Sequence, residues 1–82
     1  AQNEALFEQG NTLYNEGKFN EAIIKYEAIL DAKKHSAELY FNLGNAHYKL
    51  NNIAPSIYYF EKALKLNPND NDILNNLTLR IN

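Results

Sequence analysis

Residues 40–68 read YFNLGNAHYKLNNIAPSIYYFEKALKLNP, and they decide the fold because residues 6–34 run in register with them at a shift of 34 positions. At that shift Glu4 falls on Glu38, Phe7 on Phe41, Gly10 on Gly44, Asn11 on Asn45, Tyr14 on Tyr48, Ile23 on Ile57, Glu27 on Glu61 and Leu30 on Leu64. Within each copy the apolar positions recur at three and four residues, which is the spacing of one helix face. An internal repeat of this length, made of two amphipathic helices and a short turn, predicts an all-α stack of helical hairpins.

The helix boundaries follow from local signals. Asn3 is positioned to cap a first helix over residues 4–16, with Glu4 at the positive end of its dipole, and Gly17 supplies the left-handed residue that stops it. Asn20 and Glu21 open a second helix whose stripe is Ala22, Ile23, Tyr26, Ile29 and Leu30. It ends near Ala32, where Lys33, Lys34 and His35 suit a helix C-terminus. Ser36 caps a third helix running to Leu50, and Asn51 and Asn52 stop it, because Asn tolerates the left-handed conformation. Pro55 belongs in a first turn and so starts the fourth helix near Ala54; Asn67 and Pro68 close it. Asn69 or Asp70 then caps a fifth helix through Ile81, with Ile73, Leu74, Leu77 and Ile81 on its inner face. No segment reads as strand. Gly10 and Gly44 fall mid-helix, where Gly costs about 1 kcal/mol against Ala, so a close helix contact opposite Ala22 and Ser56 is expected there.

These residues resemble the tetratricopeptide repeat. In its pattern the first helix carries a large apolar residue, Leu-Gly and Tyr, and the second carries small, aromatic and small residues before a closing Pro. Tyr40, Leu43, Gly44, His47, Ser56, Phe60, Ala63 and Pro68 occupy those slots in the second unit, with His47 in the Tyr slot and Ser56 in an Ala slot. Leu6, Gly10, Leu13, Ala22, Tyr26 and Ile29 occupy them in the first, where Gln9 replaces Leu and Lys34 replaces Pro. The resemblance implies two full repeats, residues 3–36 and 37–70, in a right-handed superhelical stack. Residues 71–82 then form a capping helix or an interrupted third repeat, all within one domain.

Composition is in keeping with this. The chain has 82 residues, 45% hydrophobic, and contains no Cys, so no disulfide or thiol chemistry is available to it. At this size its stability is expected to be about 4 to 12 kcal/mol. A formal net charge of -2 without a basic run argues against nucleic acid as partner. No apolar stretch is long enough to span a bilayer, so no direct membrane insertion by this segment is expected. The first residue is Ala, not Met, which suggests a piece of a longer protein.

Each first helix carries a second stripe. Glu4, Phe7, Asn11 and Tyr14, repeated as Glu38, Phe41, Asn45 and Tyr48, step by three, four and three residues and share one face. In a tetratricopeptide stack this face looks into the concave groove, and Asp72, Asn75, Leu79 and Asn82 continue it. Asn11, Asn42, Asn45 and Asn76 have the donors and acceptors to hold a peptide backbone, and Phe7, Tyr14, Phe41 and Tyr48 the surface to meet its side chains. Equally, aromatics on such a face can simply pack adjacent helices. Chaperone-binding members of the family grip a C-terminal carboxylate with a clamp of Lys, Arg and Asn. Asn11 and Asn42 match that clamp, but Phe7, Asp72 and Asn76 stand at its basic positions, so a neutral or basic segment is expected rather than an acidic tail.

No catalytic constellation appears. His35 falls at a turn and His47 in a packing slot, and neither a metal-ligand spacing, a phosphate loop nor a nucleophile elbow is present, so neither cofactor nor metal is expected. A non-catalytic protein-protein interaction module is the leading reading. The alternative is self-assembly, as a homodimer or by helix exchange through the terminal helix. Residues 63–77, ALKLNPNDNDILNNL, are in addition similar to the repeat segment of bacterial aerotolerance-operon proteins, the BatE-like group. That likeness implies that Ala1 and Gln2 remain after signal cleavage and that the domain is periplasmic or membrane-attached; without it, a cytoplasmic location is expected.

Overall fold

The computed structural model describes residues 2–81, with side chains described for residues 2–79. Five helices follow one another: α1 (Gln2–Asn15), α2 (Phe19–Asp31), α3 (Ala37–Lys49), α4 (Ile53–Leu66) and α5 (Asn71–Ile81). No strand occurs among the described residues. Each helix packs on the next, α1 on α2, α2 on α3, α3 on α4 and α4 on α5, as tetratricopeptide hairpins stack.

The first three helices end in the same way. At Gly17 (φ 80°) the Lys18 amide donates to the Leu13 carbonyl at 2.8 Å and the Gly17 amide to Tyr14 at 3.0 Å. These paired bonds satisfy carbonyls that the helix end would otherwise orphan. Asn51 (φ 63°) does the same for α3, with the Asn52 amide on the His47 carbonyl at 2.8 Å. Lys33 (φ 63°) does it for α2, its amide on Leu30 at 2.8 Å and that of Lys34 on Ile29 at 3.3 Å. The third was not anticipated, since Lys has no intrinsic preference for that conformation.

Helix starts differ in how they are capped. Ser36 Oγ accepts from the Leu39 amide at 3.1 Å, and Asp70 Oδ1 from the Ile73 amide at 3.1 Å. Asn3 caps nothing, because α1 already begins at Gln2. Phe19 and Ile53 open α2 and α4 a residue earlier than expected, behind Lys18 and Asn52, whose side chains make no capping bond. Pro55 still falls in the first turn of α4, where its missing N–H leaves no intrahelical bond unmade.

The mid-helix glycines mark the hairpin contacts, though the neighbours are not the expected small residues. A Cβ on Gly10 would lie 2.5 Å from the Tyr26 ring, and one on Gly44 would lie 2.8 Å from the Phe60 ring. Ser56 does reach Gly44, donating its hydroxyl to the Gly44 carbonyl at 2.8 Å. The main core joins Ala22, Ile23, Tyr26 and Ile29 of α2 to Leu39, Leu43 and Ala46 of α3; a second cluster, Tyr40, Ala63 and Ile73, ties α3, α4 and α5 together.

On α5, Ile73 and Leu77 are buried but Leu74 remains 37% exposed, against expectation. Shifted by the repeat, Leu74 corresponds to Leu6 and Tyr40, which face the second helix of their own hairpin. Among the described residues no helix follows α5 to cover Leu74. The Ile81 side chain and Asn82, assigned above to the inner and groove faces, lie outside the described residues, as does Ala1.

Candidate functional site

Two clefts open on either side of α3. The first, about 320 Å³, lies between the hairpins and is lined by Asn11, Tyr14 and Asn15 of α1, Tyr26 of α2, and Asn42 and Asn45 of α3. The second, about 290 Å³, is lined by Ala37, Glu38 and Phe41 of α3, Asp72 and Ile73 of α5, and Asn67 and Asp70 from the turn between α4 and α5. Of the candidate residues, Asn11, Tyr14, Asn42 and Asn45 meet in the first cleft, and Glu38, Phe41 and Asp72 in the second. Glu4 is exposed and lines neither cleft, as is Tyr48. Asn76 also lies outside both, with its side-chain amide donating to the Asp72 carbonyl at 2.7 Å.

Tyr26 explains why the asparagines differ from one another. In the second repeat unit the same slot is Phe60, so the first unit carries one extra buried hydroxyl. A buried hydroxyl requires a partner. Tyr26 donates to Asn11 Oδ1 at 2.6 Å, and the same oxygen accepts from Asn42 Nδ2 at 3.2 Å, linking the two hairpins. Burial, reinforced by the neighbouring Tyr14, pushes the Tyr26 hydroxyl up to about 12, so it stays protonated as a donor. Asn45 is the repeat counterpart of Asn11, but above it stands Phe60, with no hydroxyl to bind. Its side-chain amide lines the cleft with no hydrogen-bond partner among the described residues, and so does that of Asn15.

The aromatic residues of the stripe are divided in role. Phe7 packs edge-on against Tyr26 with ring centroids 5.9 Å apart and Tyr14 edge-on against Phe19 at 5.2 Å, while the Phe41 ring is tilted against Phe60 at 5.7 Å. Phe7 and Phe41 thus help to pin the hairpins; Phe41 also lines the second cleft, whereas Phe7 lines neither. Residue patterning missed Asn15 and Tyr26 in the first cleft and Asn67 and Asp70 in the second. Asn15, four residues after Asn11, was within reach of helical spacing, and the Tyr26-for-Phe60 exchange signalled a hydroxyl in need of a partner.

His47 is half-buried and His35 is exposed. His47 stacks on Tyr59 at 5.5 Å and 14°, with Asn52 Nδ2 3.3 Å from its Nδ1. Burial lowers its pKa below the usual 6.5, partly opposed by Glu27. His35 bonds the Tyr40 hydroxyl beneath it. Among the described residues no group of three His, Asp or Glu side chains is arranged to hold a metal ion, and no helix is long and apolar enough to cross a membrane.

Family comparisons agree with this architecture. Residues 10–51 match a profile described as TPR repeat, and residues 37–70 match one described as Tetratricopeptide repeat. The chain belongs to the tetratricopeptide repeat family. None of the curated proteins compared with it matches. Tetratricopeptide repeats are in general protein-protein interaction modules, and that coarse function extends to this chain.

Proposed function

We propose that this tetratricopeptide domain binds a peptide segment of a partner protein in the groove formed by the two clefts. The observation that carries the reading is the Asn45 amide. It is held in place by α3 and presented to an open cleft, while the side-chain oxygen of its counterpart Asn11 is taken by Tyr26 and Asn42. An amide donates to a peptide carbonyl and accepts from a peptide N–H, so Asn45 and Asn15 suit a main chain of any sequence. Panning the chain against a random octapeptide display library tests this. Enrichment is expected for the parent and for Ile24→Ala, which alters an exposed residue lining neither cleft, but not for the Asn15→Ala, Asn45→Ala double variant. Equal enrichment on all three would contradict the reading.

The second reading, self-assembly through α5, is favoured by Leu74, which is 37% exposed. Light scattering after gel filtration separates the two: a monomer at high concentration removes the self-assembly reading. The similarity of residues 63–77 to the aerotolerance-operon group supports placing the domain in a larger bacterial envelope protein, facing the periplasm. A full-length gene lacking a signal segment before Ala1 would overturn that placement.

A further inference from the structure

The two clefts flank one helix, with Asn42 and Asn45 lining one and Glu38 and Phe41 the other, so a chain laid across α3 meets both. Packed helices lie about 8–10 Å apart and an extended chain advances about 3.3 Å per residue, so about three residues separate the two contacts.

The clefts differ in chemistry. The first presents neutral amides and hydroxyls. The second presents Glu38, Asp70 and Asp72 with no Lys, Arg or His in its lining, above a floor that includes Phe41 and Ile73. Asp70 is committed to the fold, its Oδ1 accepting from the Ile73 amide and its Oδ2 from Asn67 Nδ2 at 3.2 Å. Glu38 and Asp72 are exposed, one on each wall. A long cationic side chain complements this arrangement, its methylene stem against Phe41 and Ile73 and its charged head between the two carboxylates.

Resting on the groove reading above, we infer that the partner segment is extended and carries an Arg or Lys about three residues from the residue that Asn45 holds, with that side chain in the second cleft. The test uses octapeptides enriched on the 82-residue chain, resynthesised with their basic residue intact or replaced by citrulline or norleucine. Affinity is expected to fall about threefold to tenfold on that replacement, and by a similar factor for the parent peptide on the Glu38→Gln, Asp72→Asn double variant, with the loss shrinking at high salt. The replaced peptides should bind parent and variant alike. Enriched peptides without a cation, or with binding indifferent to the double variant, overturn the cationic subsite; if their binding still needs Asn45, the groove reading stands. Enrichment no greater than on the Asn15→Ala, Asn45→Ala variant overturns both.

Discussion

At the scale of single residues, Gly44 and Lys33 occupy opposite situations. Gly44 is required because the Phe60 ring fills the space a side chain would need, so Gly44→Leu is expected to cost about 1 to 3 kcal/mol by overpacking. For a domain of this size that lowers Tm by several degrees, and an unchanged melt would contradict the α3–α4 pairing. Lys33 holds a positive φ that glycine adopts without strain, so Lys33→Gly is expected to stabilise the fold by about 0.5 to 1 kcal/mol. Urea midpoints read that difference, and a destabilised variant would show that the Lys33 side chain does more than terminate α2. His47 sets a pH dependence. Because burial depresses its pKa, the unfolded chain takes up the proton first as pH falls, so the stability it contributes is complete above about pH 6.5 and declines below that through the lower folded value. Between pH 7 and 5.5 the Tm of the parent should therefore fall more steeply than that of His47→Tyr, and parallel slopes would argue against a half-buried neutral ring.

At the scale of elements, some helix ends were legible from a single side chain, though Asn3 and Asn20, read as starts, lie inside helices that begin earlier. Gly17, Asn51, Ser36 and Asp70 all stand where their chemistry places them. Lys33 was not legible, because a Lys side chain has no preference for the left-handed conformation it holds. The burial of α5 was half legible: periodicity alone could not tell Ile73 and Leu77, covered by α4, from Leu74, whose covering helix would have to come next. α5 packs mainly on α4 and meets α3 through Ile73 at one end, so it is the element expected to open first. Its amides should exchange with solvent faster than those of α2 and α3. Asp70→Ala removes its cap at a cost of about 1 kcal/mol and should accelerate that exchange selectively. Uniform acceleration across all five helices would mean that the stack unfolds as one unit.

At the scale of the whole molecule, the 34-residue register showed which face of α1, α3 and α5 is shared, and the structure gathers most of that face into two adjoining clefts. The register could not show how identical letters diverge. Asn11 and Asn45 are equivalent in sequence, yet the hydroxyl that separates Tyr26 from Phe60 ties the first into the fold and leaves the second open to the cleft. For Phe7 and Phe41 the register left partner contact and helix packing both open, and in the structure their rings pack on Tyr26 and Phe60. The central claim is that the groove, and within it Asn45, takes hold of another polypeptide. Its most direct test is a titration of the isotope-labelled chain with an enriched octapeptide, followed by NMR of backbone and side-chain amides. Shifts concentrated on Asn15, Asn42, Asn45 and their neighbours in α1 and α3, with the Asn45 side-chain amide moving most, are the expected result. Shifts confined to α5 around Leu74 and Leu79, or to Ile24 and Tyr58, with Asn45 unmoved, would contradict the account.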